Sequence, residues 1–473
     1  MEPRQANKAT AWLLPDLALA LALFTVLYAL VFYRAPEQLF RDSDTGWHIR
    51  TGERITRDWA VPQSDPFSFS RPGGEWFAWE WAADAAMGAA HRAGGLAGVA
   101  GLYLAAIGIC SWLWVRLHWA CGSNFWMVCL LASPMLTAAQ LHWLARPHVL
   151  GWVWLLAALL LLERGRLGWR EALALAVVWA NTHGSFFLLP VLCVLYGARW
   201  PVVAAAALGT LVNPYGWALH FHLAKYLGDQ ELLSRVAEFQ SFNFHVEGAW
   251  QIGALVLAGM TGFVCAAACG QWRRAAVLLL LCAMGLRSAR GLPVLALAGL
   301  PLAGGAITAA LWRWELWPRW GREAMVYGDR LRALQAPLHG WALGIAFLGL
   351  TGLAVLGSRP GFPAAEFPVT AAAHLPAGGV LLAPDKYGGY LIYRFDGARR
   401  VYFDGRSDYY GAEFLKEYVA MIELRAGWEE TAAKYGFTHA LLPVRYSLIP
   451  ALEKQGWRRR YADATSVLLE RNF

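Results

Sequence analysis

Residues 12–48 read WLLPDLALALALFTVLYALVFYRAPEQLFRDSDTGWH. The apolar run Trp12–Phe32 is long enough to cross a bilayer as one helix. Shortly after it come Asp42, Asp44 and His48. Two carboxylates and an imidazole at a membrane surface are costly to place without water or partners. They open a longer polar stretch, Arg41 to Glu80, rich in Asp, Arg, Trp and turn residues. In an otherwise apolar chain this is the densest chemistry, and the expected place for a reaction.

Working outward, hydrophobic residues make up 58% of the 473 and charged residues 16%. That is too little polar surface for a soluble protein of this size. Apolar runs recur at Ala97–Leu117, Phe125–Leu141, Val149–Leu162, Ala172–Trp179, Phe186–Tyr196 and Val202–Val212, then at Ala249–Ala268, Ala275–Leu286, Pro293–Leu311 and Trp341–Leu356. The pattern predicts a multipass all-α membrane bundle of about eleven helices over residues 1–357, with a long first external loop at 34–95. Many of the 26 Trp fall near span ends, where interfacial anchoring explains them.

Arg4 and Lys8 precede the first span, and Arg116, Arg164, Arg166, Arg170, Arg199, Arg273, Arg274 and Arg313 fall in alternate loops. Positive loops mark the cytoplasm, so the first polar loop and the C-terminal segment are expected outside. The formal charge of +8 then reflects topology and lipid contact and gives no nucleic-acid footprint. The seven Cys sit in or beside apolar segments, with no disulfide or zinc spacing.

From about Gly361 the pattern changes to strand-length apolar runs between amphipathic stretches. Val380–Leu382, Arg400–Phe403, His439–Leu442, Trp457–Tyr461 and Ser466–Leu469 read as strands. Tyr410–Ile422, Glu429–Lys434 and Leu448–Gln455 read as helices, which predicts an external α/β domain over 361–473. Gly388-Gly389 belongs to no phosphate-loop or dinucleotide pattern.

On the predicted topology, the polar landmarks of the membrane part collect on one face. They are Asp42, Asp44 and His48; Glu80; Arg146 and His148; Asn181 and His183; Asn213; and Arg287 with Arg290, three residues apart and on one helix face if helical. Each has a structural reading beside the functional one. Asn-Pro-Tyr-Gly and Arg-Pro-His are turn and helix-start chemistry. His183 also suits a satisfied core position, and the arginines can snorkel to headgroups. Asp42 and Asp44 repel each other and need a cation or donor nearby to stay ionised together. One of them can act as general base while the other orients it or holds a divalent ion, with His48 as proton carrier or third ligand. Paired arginines suit a phosphate. Asp404 and Arg406, after a predicted strand, suit either an acceptor contact or a turn before the next helix, with Asp408 as its cap.

The strings DSDTGWHIRTGERI, VPQSDPFSFS, ARPH, NTHGSF, LVNPYG and YGGYLIYRFDGARRVYFDGRSDYYG resemble a group of bacterial multipass proteins assigned to the GT-C glycosyltransferase superfamily. That superfamily includes the dolichyl- and polyprenyl-phosphate sugar transferases. The resemblance implies a base at Asp42 or Asp44, with Asp44 slightly favoured, and in some members a divalent ion (Mg or Mn) on such a motif. It implies further acidic candidates at Asp65, Glu75, Glu80 and Asp84. Trp79-Glu80-Trp81 resembles a His-Glu-Trp element, with Trp79 replacing the His. The expected function is transfer of a sugar from a polyprenyl-phosphate-linked donor to an envelope glycan, lipid or protein, on the outer face of a bacterial inner membrane. A lipid or polysaccharide transporter and a non-catalytic envelope-assembly scaffold are the alternatives.

Overall fold

The computed structural model describes residues 8–314 and 318–472; Arg4 lies outside the described residues. The predicted apolar segments fall mostly in helices; Trp12–Phe32 is interrupted at Leu14–Asp16, Val202–Val212 leaves its helix after Gly209, and Ala249–Ala268 has the same bounds in sequence and structure. Four helices among the described residues are long and apolar enough to cross a membrane: Ala9–Val31, Trp81–Cys121, Ala249–Ala268 and Gly291–Trp314. The others are shorter apolar helices packed around them.

Local chemistry explains where these helices start and bend. Asp16 caps Leu17–Val31 by accepting from the Leu19 N–H at 2.9 Å, and also pairs with Arg116 at 2.7 Å. Asn124 caps Phe125–Gln140 through the Trp126 N–H. The Trp81–Cys121 helix breaks at Gly94 and Gly95, where Gly95 takes φ +58° and ψ −146°. Its first part carries Asp84 beside the polar loop; its second part, from Leu96, is the long apolar span. Around the C-terminal end of that span gather arginines of the opposite loops. Arg274 bonds the Cys121 carbonyl and pairs with Glu163, and Arg332 bonds the Trp119 and Ser123 carbonyls. Leucines of Trp341–Gly357 are exposed along the helix, an apolar surface suited to lipid.

The C-terminal sheet has the order β1-β2-β4-β3. Strand β1 (Leu381–Leu382) runs parallel to β2 (His439–Pro443), while β4 (Ser466–Arg471) is antiparallel to β2 and to β3 (Trp457–Ala462). The predicted strand at Arg400–Phe403 is not part of this sheet. Val401 instead forms a bridge with Ser68 of the first loop, the Phe69 N–H bonding its carbonyl and its own N–H bonding Phe67 O. A second difference is the helix Asp385–Arg394, which carries the glycine pair. It packs on the helix Asp44–Asp58 so closely that a Cβ on Gly389 would overlap the Ser43 carbonyl, and a Cβ on Gly46 would overlap the Gly389 carbonyl. Glycine is used here for backbone approach.

The C-terminal part therefore sits directly on the first loop. Gly389→Ala and Gly46→Ala are each expected to lower the unfolding midpoint in detergent, at about 1–3 kcal/mol of overpacking. Gly101→Ala, a helical position with open space around it, is the control that does not lower the midpoint.

Candidate active site

Four connections at one end of the bundle bring their charges together. The first loop contributes Asp42 and Asp44. The Asp42 carboxylate holds the start of the Asp44–Asp58 helix, Oδ1 accepting from the Asp44 N–H at 2.8 Å. Its Oδ2 receives Arg146 Nη1 at 2.8 Å, and Asp44 Oδ2 receives Arg146 Nη2 at 2.9 Å. Arg146 Nη1 also reaches Glu238 Oε1 at 3.3 Å, and Glu238 pairs in turn with Arg290. Side-chain exposure falls from 38% at Arg290 and 28% at Glu238 to 9% at Asp44. The result is a ladder of alternating charge that meets the surface at Arg290 and ends inside at Asp44. Two surface clefts, of about 440 and 530 Å³, lie elsewhere and do not border Asp44.

Behind the ladder lies a layer of acids and imidazoles. Glu80, at the start of the Trp81–Cys121 helix, stands between His48 Nε2 at 3.9 Å and His183 Nε2 at 3.6 Å. His48 Nδ1 lies 2.6 Å from Asp84 Oδ1, both side chains buried. His148 Nε2 bonds the His142 carbonyl at 2.7 Å. Burial pushes the Asp44 carboxyl up to about 7, opposed by Arg146 and reinforced by Asp42 and Asp404. Burial also raises Glu80 to about 7, opposed by Arg146 and Arg290. Burial and the charge of Arg146 hold His48 well below the usual histidine range, so its imidazole is neutral at pH 7.

The remaining expected residues have other surroundings. Asn181 accepts from Trp81 Nε1 at 2.6 Å and donates to the Val177 and Val212 carbonyls. Asn213 closes its own turn through the Tyr215 N–H and the Thr210 carbonyl. Arg287 and Arg290 do not share a helix face. The helix Trp272–Arg287 ends at Arg287, Ser288 is extended, and Arg287 is exposed beside Gln230. Asp404 and Arg406 are buried and satisfy each other: Arg406 binds Asp404 bidentately at 2.7 and 2.8 Å and Asp65 at 2.8 Å, while Tyr410 donates to Asp404 at 3.0 Å. Trp76 lies over the guanidinium at 4.7 Å. This clamp ties the domain to the first loop. Asp408 is not a cap; it meets His222 Nε2 at 3.2 Å. Beside the clamp, Gly405 leaves room for Asp44, whose Oδ1 a Cβ there would overlap.

Glu238 is the member of the ladder that sequence reasoning missed. Its signal was position: the connection between the seventh and eighth apolar segments falls on the same face as the first loop.

No protein-family model matches the chain, and no curated relative matches it. Among solved structures, the archaeal oligosaccharyltransferase AglB from Archaeoglobus fulgidus, in complex with an inhibitory peptide and a dolichol-phosphate, is similar with a TM-score of 0.55. The identity is 11%, over 90% of this chain and 69% of that one. The chain shares the fold of that oligosaccharyltransferase. The apo form of the Archaeoglobus fulgidus oligosaccharyltransferase is 13% identical with a TM-score of 0.43, over the same 90% and 69%.

For some members the GT-C resemblance implies a divalent ion on the acidic motif. The residues present here do not fit one. The Arg146 guanidinium lies between Asp42 and Asp44, and among the described residues no three His, Cys, Asp or Glu side chains converge as a ligand set.

Asp44 and Glu80 hold their protons more tightly in the folded chain than in the unfolded one, where such carboxyls titrate near 3.8 and 4.5. Their contribution to stability is therefore full below that range and is lost as pH rises through about 7. The unfolding midpoint in detergent should fall from about pH 5 to about pH 8. The Asp44→Asn/Glu80→Gln double variant should flatten that slope; an equal slope in both proteins would contradict the assignment.

Proposed function

We propose that this protein is a membrane glycosyltransferase that moves a sugar from a polyprenyl-phosphate-linked donor to an acceptor on the outer face of a bacterial inner membrane. The observation that carries the reading is Asp44. It is a nearly buried carboxyl with a pKa about 7, at the inner end of a charge ladder that reaches the surface at Arg290. A base serves best when its pKa lies near the working pH. The neighbour with the same fold was solved with a peptide and a dolichol-phosphate, which supports a lipid-phosphate donor and a separate acceptor for this chain too.

In this reading Asp44 takes the proton from the acceptor hydroxyl or amine. The freed lone pair bonds the anomeric carbon as the bond from that carbon to the phosphate oxygen breaks, with inversion. The lipid phosphate leaves with the electron pair, and Arg290, the more exposed of the ladder's arginines, meets its charge. Asp42 positions Arg146 and the first turn of the Asp44 helix. The arginine-rich loops support an N-terminus in the cytoplasm and a C-terminal segment outside. The acceptor is an envelope glycan, lipid or protein.

Transfer from a lipid-linked sugar, measured in detergent or vesicles, should fall about two to four orders of magnitude in Asp44→Asn. The wild-type rate should rise with pH through about 7. Full activity in both Asp44→Asn and Asp42→Asn would overturn the reading, as would movement of the lipid-linked sugar across the bilayer without covalent transfer. Arg290→Gln should raise the KM for the donor, whereas Arg287→Gln should leave it unchanged.

A further inference from the structure

Three carboxylates from two separate segments converge on one guanidinium. Arg146 reaches Asp42 at 2.8 Å, Asp44 at 2.9 Å and Glu238 at 3.3 Å, and its side chain is 16% exposed. Carboxylates this close repel one another unless a cation sits among them. Carboxylate oxygens are the ligands a hard divalent ion takes, but here they are arranged around the guanidinium and do not converge as a ligand set.

The guanidinium is held there by its backbone. The Ala145 N–H bonds the Leu39 carbonyl at 2.8 Å, and the Ala145 carbonyl accepts from Thr45 Oγ1 at 3.1 Å. Thr45 follows Asp44 in the same helix, so the segment that carries Arg146 is fastened to the helix that carries the acid. Arginine stays charged across the accessible pH range, and its planar fork spans two carboxylates at once. A divalent ion entering this cage would have to draw the oxygens in to about 2.0–2.6 Å. It would also have to displace a positive charge that already balances them.

We propose that Arg146 is a built-in counter-cation occupying the position a divalent ion would take, so that the centre binds no divalent metal and does not need one. The second clause rests on the glycosyltransferase reading; the first does not. The converse follows: deleting the guanidinium should create a metal site from Asp42, Asp44 and Glu238.

Manganese binding to the full-length protein in detergent, followed by electron paramagnetic resonance, tests this. The wild type should bind no Mn²⁺ at the centre, and its sugar transfer should be unchanged by EDTA. Arg146→Ala should gain one bound Mn²⁺, and Asp42→Asn in that background should remove it. Wild-type Mn²⁺ binding that is lost in Asp42→Asn would overturn the proposal. So would EDTA-abolished transfer that Mn²⁺ restores, or a folded Arg146→Ala that binds no Mn²⁺. If Arg146→Ala fails to fold, the wild-type measurements alone decide. A wild type that binds no Mn²⁺ and transfers no sugar would overturn the functional reading while leaving the counter-cation intact.

Discussion

The balance of buried charge around Arg146 is the constraint on which the rest of this structure depends. Asp42 and Asp44 sit where water is scarce, and a charge left unpaired there would cost several kcal/mol. One guanidinium, fixed by the backbone on both sides of Ala145, answers both and extends to Glu238. Each participant lies in, or at the first residue after, a connection between helices, and all these connections lie at one end of the bundle. The packing of the helices is thus coupled to the electrostatics of the loops. A shift of the Ala145 segment would unbalance the charges of the first loop and of the Glu238 connection together.

The two aspartates are answered differently. Asp42 has both oxygens engaged, one by the Asp44 N–H and one by Arg146. Asp44 pairs with Arg146 through one oxygen and lies with the other beside Gly405, whose lack of a side chain leaves room for it. This asymmetry separates two carboxylates that look interchangeable as Asp-Ser-Asp. The C-terminal domain supplies it, since Gly405 lies inside the clamp of Asp404, Arg406 and Asp65.

The helical bundle was legible because apolar run length speaks directly to helices that need a partner or lipid. Ala249–Ala268 is helical over its predicted bounds. The clustering of Asp42, Asp44, His48, Arg146 and His183 was also legible, through the parity of the loops. What was hidden depends on contacts remote in sequence. The Asp385–Arg394 helix contains two glycines, which local propensity counts against a helix; their purpose is the approach to Ser43, far away in the chain. Val401 looks like a sheet residue but pairs with the first loop. Arg287 and Arg290 are spaced for one face, yet the helix ends between them. Glu238 has no motif around it, and its meaning comes only from Arg146 and Arg290.

The clamp between Arg406 and Asp65 joins residues 341 positions apart in the chain. Protein synthesis runs from the N-terminus, so the first loop is made long before its partner exists. Until the C-terminal domain arrives, Asp65 has no guanidinium and Asp44 has no neighbour at Gly405. The surroundings of Asp44 are therefore completed only after Gly405 and Arg406 have been made. A chain cut short before Gly405 would carry the acidic motif without the clamp of Arg406 and Asp65 beside it.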